Sequence, residues 1–301
     1  MNQRDQQIPI ESKTLTARDG TRLRYTRSGA GPDRVLLCDG IGCSGFIWRY
    51  LAPHLREKAV VLHPHMRGHG DSEAPADPLA YSIAGVADDL HEILDAEDVQ
   101  DTWVIGHSMG VQVALELWYR HRRRVKGLIL LCGSYENPVA TFGNAGTLNR
   151  LMPWIRWAAP KIHKPLKAFW HNVLPTELSY RVAIATEVDG EAIERDDLMR
   201  YLKDLSEIDP VVFLHMLGGA EGHSAGRYLG QIDVPTLVIA GDADKFTPAW
   251  LSRDMARRIP TAHYHELAGG THTAPVEQPD TFEALIDEHL ASLGAGEPPA
   301  A

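Results

Sequence analysis

One segment of the chain, a buried-strand pattern that runs straight into a glycine-rich turn, limits the possible fold more than any other. Apolar residues at 103–105 lead into Gly-His-Ser-Met-Gly at 106–110, and a helical apolar pattern follows with no loop between them. A sharp turn from strand to helix crowds the backbone, so glycines at 106 and 110 omit side chains that would clash. The segment predicts that Ser108 lies at the carboxyl edge of a sheet, where the positive end of a helix can stabilise negative charge.

A second copy of the motif, Gly-His-Ser-Ala-Gly at 222–226, lacks this context. The preceding residues, Leu-Gly-Gly-Ala-Glu, do not resemble a strand, and the few residues before Pro235 are too short for a supporting helix. Since the bare motif is weak evidence without its strand and helix, we interpret Ser108 as the nucleophile and place Ser224 in a loop.

The rest of the chain alternates short apolar runs with helical patterns, which is typical of a mostly parallel sheet covered by helices on both faces. Helical spacing is found at 83–94, 111–118 and 280–290, and a hairpin with its turn at Asp19-Gly20 is expected from 13–17 and 22–26. The predicted strands are 35–38, 59–62, 103–105, 127–131, 236–240 and 262–267.

The alternation stops between residues 137 and 230, where prolines and aromatic residues accumulate. We predict a helical cap inserted at 137–230, a core domain formed by 12–136 and 231–293, and a disordered tail at 294–301. Basic residues between 150 and 167 interleave with the cap's aromatic residues, which could indicate a membrane-surface helix; a cap helix with a solvated basic face is the favoured interpretation, so membrane contact is not expected.

Composition excludes several classes of protein. With 301 residues, 44% hydrophobic and 23% charged, the chain is an ordinary globular protein, and its net charge of −10 argues against a nucleic-acid partner. Three cysteines are too few and too scattered for a disulfide framework or a CxxC metal site. The first twenty residues lack the apolar core of a signal peptide, and no run of eighteen apolar residues occurs, so we expect a cytoplasmic protein.

Two later loops supply the partners that a serine nucleophile needs. A serine hydroxyl reacts only if a base takes its proton, and that base needs an orienting acid. The loops at 241–248 and 268–273 follow the last two predicted strands and contain Asp242, Asp244 and His272. Because parallel strands share one direction, both loops should emerge at the edge that carries Ser108.

These segments together resemble the α/β-hydrolase superfamily, in its branch of esterases, lipases and cofactor-free haloperoxidase-like enzymes. The resemblance covers about residues 17–293 and is interrupted by the cap. It rests on Asp-Gly-Ile-Gly at 39–42, Arg-Gly-His-Gly-Asp-Ser at 67–72, and the segments at 106–110, 241–248, 270–272 and 277–280.

By this resemblance, Ser108, Asp244 and His272 are the catalytic triad. Asp242 is the nearest rival acid, with a turn residue as its structural interpretation. Some relatives carry the acid one strand earlier, which would select Glu136.

The resemblance also implies an oxyanion hole formed by the backbone N–H groups of Ile41 and Met109. Asp39 stands where the family more often has His, and His65 stands where it commonly has Asp. Backbone donors do not depend on these side chains, but an acid at this position could alter the pocket's polarity.

The function expected from these features is cleavage of a carboxylic ester or thioester with an apolar portion, through an acyl-enzyme and without cofactor or metal. A serine rather than an aspartate nucleophile disfavours dehalogenase and epoxide-hydrolase chemistry. Other serine-triad reactions on this fold, such as C–C bond hydrolysis, lyase or perhydrolase chemistry, and a non-catalytic ligand-binding protein are the alternatives. The only partner expected is a small ester-like substrate, and the oligomeric state is open.

Overall fold

Eight strands form one sheet in the computed structural model, which describes residues 8–137, 145–186 and 188–294. The spatial order is β1-β2-β4-β3-β5-β6-β7-β8. The strands are β1 Ile10–Thr16, β2 Arg22–Ser28, β3 Asp33–Cys38, β4 Ala59–Pro64, β5 Thr102–His107, β6 Val125–Leu131, β7 Thr236–Gly241 and β8 Ala262–Leu267. Each predicted strand is present; β8 has the predicted bounds, and the other five are one to three residues longer than predicted.

The sheet is parallel except at one edge. Strands β1 and β2 form the predicted hairpin, and Gly20 in its turn has a φ of 87°, a conformation that glycine adopts without strain. Strand β2 pairs antiparallel with β4, and the remaining pairs from β4 to β8 are parallel. The carboxyl ends of β3 and β5 to β8 therefore share one edge.

Helices cover both faces of the sheet, so its central strands are buried throughout. Every residue of β5 and of β7 is buried, which explains their unbroken apolar runs. Two hydrophobic clusters, one on each face, form the core. The α-helices of the core are α1 Leu51–Arg56, α2 Ile83–Ala96, α3 Met109–Arg120, α9 Ala249–Arg258, α10 Ala274–Glu277 and α11 Pro279–Gly294.

Five further α-helices among the described residues lie in the chain between β6 and β7, although these two strands pair directly in the sheet. They are α4 Ala145–Ala158, α5 His163–Val173, α6 Glu177–Thr186, α7 Arg195–Glu207 and α8 Pro210–Glu221. An isolated antiparallel bridge between Glu136 and Ser224 joins the chain before these helices to the chain after them.

We refer to α4 to α8 as the cap helices, and the boundaries at 137 and 230 stay a prediction. Of the predicted tail at 294–301, only Gly294, the end of α11, falls within the described residues. None of the helices in the described part of the chain is long and apolar enough to cross a bilayer.

Candidate active site

The turn between β5 and α3 holds Ser108 in a strained backbone conformation. Ser108 has φ 55° and ψ −120°, values that a residue with a side chain rarely adopts. Only glycines fit the flanking positions, because a Cβ on Gly106 would lie 2.3 Å from the Gly110 carbonyl oxygen. A Cβ on Gly110 would lie 2.1 Å from the Cys38 carbonyl oxygen. The helix therefore packs directly against β3 and β5, and the Ser108 side chain lies at the sheet edge.

Three side chains from separate loops meet at this edge. The Ser108 hydroxyl Oγ lies 2.9 Å from Nε2 of His272, and Nδ1 of the same imidazole lies 2.9 Å from Oδ2 of Asp244. Asp244 follows β7 and His272 follows β8, so the shared direction of these parallel strands delivers both residues. Both distances lie within hydrogen-bonding range, so one chain of hydrogen bonds links the carboxylate to the hydroxyl.

The Asp244 carboxylate is buried and held by its own loop. Its Oδ1 accepts hydrogen bonds of 2.8 Å from the backbone N–H groups of Phe246 and Thr247, and the Thr247 hydroxyl lies 2.9 Å from Oδ2. Burial alone would raise the pKa of Asp244, but the charge and hydrogen bond of His272 and the bonds from Thr247 outweigh it, and the pKa is lowered. Asp244 is thus an anion well placed to orient the imidazole. Sequence reasoning missed Thr247; an aspartate in a turn commonly bonds the backbone two residues on, as Asp244 bonds the N–H of Phe246, but the sequence gives no specific signal for the threonine hydroxyl.

The rival residues have other partners. The Asp242 carboxylate accepts a 2.8 Å hydrogen bond from the Gly269 backbone N–H, which is the turn role considered from the sequence. Ser224 donates to Glu136 Oε2 over 3.1 Å and is exposed, and its backbone forms the bridge to Glu136. The neighbouring His223 pairs with Glu116 instead of Ser224. The structure thus gives neither the second motif nor the rival acids a place in the hydrogen-bonded chain of Ser108.

The predicted oxyanion-hole residues flank Ser108. As the first residue of α3, Met109 has a backbone N–H with no acceptor inside the helix. Ile41 follows Gly40, at which a Cβ would lie 3.0 Å from the Ser108 Cβ, so the loop after β3 passes directly beside the nucleophile. Both Ile41 and Met109 line the same cavity as Ser108 and His272.

Histidines anchor the loop that contains Ile41. His63 Nε2 lies 2.8 Å from Oδ2 of the fully buried Asp39, and a Cβ on Gly45 would lie 2.8 Å from the same ring. Burial favours a higher pKa for Asp39, but the charge and hydrogen bond of His63 and the charge of His65 reverse this, so its pKa is lowered. The acid at position 39 is therefore paired inside the protein.

His69 supports the same loop from the other side. Its Nε2 accepts a 3.2 Å hydrogen bond from the Gly42 backbone N–H, which requires an unprotonated Nε2, and burial lowers the pKa of the ring. Arg67 is bound by Asp89, Asp19 and the Ala80 carbonyl, as expected of a loop-stabilising residue. The partnership of Asp39 with His63 was not predictable, since it joins residues 24 positions apart, one directly after β3 and the other in β4.

His107, the residue directly before Ser108 in the turn, also contacts His272. It is buried, and its Nε2 lies 2.9 Å from the His272 carbonyl oxygen. Burial, followed by the charge of His272, lowers the pKa of His107 to about 3, so this ring is neutral and donates from Nε2. The sequence gives no specific signal for this contact.

Ser108 opens into an apolar cavity of about 430 Å³ between the sheet edge and the cap helices. The described residues that line it include no Lys, Arg, Asp or Glu. Apart from Cys43 and Tyr201, its polar side chains are those of His107, Ser108, Thr247, His272 and Thr273. We refer to residues 40–42, which contain Ile41, as the oxyanion loop. The cap contributes apolar groups close to this loop: a Cβ on Gly42 would lie 2.7 Å from Leu205 and 3.3 Å from Phe213. The larger lining side chains are Ile41, Phe46, Ile47, Met109, Val188, Leu198, Tyr201, Leu205, Phe213, Leu217 and Phe246.

The cap's aromatic residues divide between the cavity and the outside. Trp154, Trp157 and Phe169 are each more than half exposed. Trp170 instead packs inward on Phe213, with 5.5 Å between ring centres.

Among the residues described, no group of three or more His, Cys, Asp or Glu side chains is arranged to hold a metal ion.

Comparisons with known proteins agree with this architecture. A family model described as "alpha/beta hydrolase fold" matches residues 33–184. An uncharacterized protein of Mycobacterium tuberculosis is 34% identical over 287 residues, covering 90% of this chain and 79% of its own length.

Solved structures are similar over nearly the whole chain. A hydrolase from Pseudomonas aeruginosa PA01 superposes with a TM-score of 0.74 at 25% identity, covering 93% of this chain and 98% of that one. An enol-lactonase from Burkholderia xenovorans LB400 gives 0.74 at 21% identity, covering 93% and 100%. With its mostly parallel eight-stranded sheet and its serine at the turn after β5, the chain belongs to the α/β-hydrolase family.

Proposed function

We propose that this protein is a serine hydrolase that cleaves carboxylic esters or thioesters with an apolar portion. The observation that carries the proposal is the unbroken chain of hydrogen bonds from Asp244 through His272 to Ser108, placed at one end of an apolar cavity. This is the arrangement by which an imidazole activates a serine hydroxyl for attack on a carbonyl carbon.

In the first half of the reaction, Ser108 Oγ attacks the carbonyl carbon while His272 Nε2 takes the hydroxyl proton. The negative oxygen is held by the N–H groups of Ile41 and Met109. When the bond to the leaving alcohol or thiol breaks, His272 returns the proton to that group, leaving an ester on Ser108. Asp244 stabilises the imidazolium that forms in between.

In the second half, water repeats these steps. His272 takes a proton from the water that attacks the acyl carbon, and then returns it to Ser108 Oγ as the acid leaves. His107 and Thr247 hold His272 and Asp244 in place but do not reach the reacting atoms, so we assign them as positioning residues.

The cavity supports an uncharged substrate. A carboxylate or phosphate placed there would lose its hydration without gaining a cationic partner from the described lining, which is costly. An acyl chain or aromatic ring would instead bury apolar area against Phe46, Leu205 and Phe213. We therefore propose medium-length or aromatic neutral esters as the preferred class, handled in the cytoplasm without a cofactor.

Labelling with a fluorophosphonate tests the nucleophile, with the second motif as a matched control. The unchanged protein and Ser224→Ala should be labelled, whereas Ser108→Ala should not, because Ser108 has a histidine in hydrogen-bonding reach and Ser224 instead bonds a carboxylate. With p-nitrophenyl hexanoate, kcat of Ser108→Ala should fall by at least about 10⁴-fold.

Labelling that persists in Ser108→Ala and disappears in Ser224→Ala would overturn the assignment. If Ser108 is labelled but a panel of esters and thioesters is not cleaved while β-diketones are, the proposal of ester cleavage fails and C–C bond hydrolysis replaces it.

A further inference from the structure

Helices α4 and α5 and the turn between them expose a cluster of large apolar side chains. Trp154 is 68% exposed, Trp157 60% and Phe169 64%, values that are high for residues normally buried. The two tryptophan rings meet edge to face with 6.1 Å between their centres. We name this cluster the 151–169 surface; its exposed apolar members are Leu151, Trp154, Ile155, Trp157, Ile162 and Phe169.

The same segment carries concentrated positive charge. Residues 145–176 contain five Lys and Arg and no Asp or Glu, in a chain whose net charge is −10. Lys161 and Lys164 are exposed, and the Lys161 ammonium lies 3.0 Å from the centre of the Trp157 ring. Arg156 and Lys167 face acids of neighbouring elements, Glu221 and Asp209, so the outward charge is carried mainly by the lysines of the turn and of the start of α5.

The opposite side of these helices is already packed. Met152 and Ala159 are buried, and Trp170 donates a 2.9 Å hydrogen bond to the Leu205 carbonyl oxygen. Helix α5 thus faces the protein through Trp170 and faces outward through Lys164 and Phe169. The exposed aromatic residues therefore do not belong to the core. Clustered exposed apolar side chains of this kind mark interaction sites.

We propose that the 151–169 surface docks on an anionic phospholipid bilayer. Tryptophan rings favour the headgroup level of a membrane, and lysines beside them can keep their ammonium groups at the lipid phosphates while their stems lie on apolar surface. The segment lies on the bilayer and does not cross it. Composition alone favours a solvated basic face; the exposure of Trp154 and Trp157 is the observation that favours a membrane.

The charge distribution selects this occupant over a second copy of the chain. A symmetric pair would bring the same basic surface of each copy together, which is repulsive. An anionic bilayer offers the opposite charge over its whole area and an apolar layer for the rings. Docking would also place the cap next to the bilayer, while its inner side lines the cavity above Ser108.

Vesicle co-sedimentation tests the proposal with the full chain. Vesicles of phosphatidylcholine with about one third phosphatidylglycerol should bind the protein at low salt, and binding should weaken in 0.5 M salt, as expected for screened surface charge. Vesicles of phosphatidylcholine alone should bind at least about tenfold more weakly. Tryptophan emission should shift to shorter wavelength on binding.

Matched variants distinguish vesicle binding through the 151–169 surface from nonspecific binding. Trp154→Ala with Trp157→Ala, and separately Lys161→Glu with Lys164→Glu, should each reduce vesicle binding roughly tenfold or more. Trp250→Ala, which removes an exposed tryptophan elsewhere, and Arg123→Glu, which removes exposed charge from another basic segment, should bind as the unchanged protein does.

Fluorophosphonate labelling of the variants checks that they are folded, and Ser108→Ala should bind vesicles normally, because docking does not depend on catalysis. Absence of binding to the anionic vesicles, or binding that survives both double variants, would overturn the proposal. A dimer in sedimentation equilibrium that is lost in the tryptophan variant, without vesicle binding, would assign the surface to contact between copies instead.

Discussion

At the scale of single residues, the structure keeps the groups around Ser108 in defined protonation states. The pKa of Asp244 is lowered and that of His107 is lowered to about 3, so the first is an anion and the second is neutral at ordinary pH. Because the folded pKa of Asp244 is depressed, its contribution to stability is complete above its unfolded value of about 4. That contribution is lost only as the pH falls through the lower folded value.

The acid side of the activity profile should therefore show a single ionisation. His272 must be unprotonated to take the Ser108 proton, so log(kcat/KM) should fall on the acid side with a slope of one per pH unit, while Asp244 and His107 stay in one state. Initial rates from pH 4.5 to 8.5, with the folded fraction followed by fluorescence, measure this slope. A slope of two would contradict the assignment.

At the scale of structural elements, the β5–α3 turn depends on close contact between backbones. A Cβ at position 110 would lie 2.1 Å from the carbonyl oxygen of Cys38 and 2.7 Å from that of Asp39, the two residues that directly precede the oxyanion loop. Any side chain at 110 must push α3 away from β3, and with it the N–H of Met109 away from that of Ile41. The two predicted donors are thus held at their spacing by a residue that carries no functional group.

Gly110→Ala should accordingly damage both stability and catalysis. We expect a loss of about 1–3 kcal/mol or more in unfolding free energy, typical of an overpacked site, and a fall in kcat of at least about tenfold. Gly230→Ala is the control, because its Cβ would meet nothing closer than 3.8 Å. Urea unfolding and ester hydrolysis measure the two effects. Equal stability of the two variants would show that the contact at 110 is not tight.

The sequence predicts best those elements that depend on the pattern of neighbouring residues in the chain. The runs at 103–105 and 236–240 are continuous because both faces of their strands are buried, and the order of strands then brings the loops of Asp244 and His272 to one edge. The pairing of Asp39 with His63 depends on which strands become neighbours. The exposure of Trp154 depends on how the cap helices pack on the rest of the protein, and helical periodicity in the sequence does not predict this packing.

At the scale of the whole molecule, cap and core build one site together. Phe213 of α8 lines the cavity and lies close above Gly42 of the oxyanion loop, while its other side packs on Trp170. In the proposed function, the groups that select the substrate and the groups that react with it thus come from different parts of the chain, which meet at Ser108.

Phe213→Ala should change selection more than chemistry. Loss of the ring removes apolar contact from a bound acyl chain, so KM for a hexanoyl or octanoyl ester should rise roughly tenfold, with little change for an acetyl ester. Leu178→Ala, a cap residue that is 68% exposed, serves as the control and should leave both constants unchanged. Steady-state kinetics on an ester series measures this. An equal fall of kcat for all chain lengths would place Phe213 in the chemical step instead.

The direct pairing of β6 with β7 has a consequence for how such an enzyme can diversify. The chain leaves the sheet after β6 and returns to it at the neighbouring strand β7. The Glu136–Ser224 bridge joins the chain before the five cap helices to the chain after them. Lengthening, shortening or replacing the intervening segment would leave strand order and register intact. Relatives could then acquire new substrates, or a new attachment surface, by exchanging this one segment while the positions of Ser108, His272 and Asp244 stay fixed.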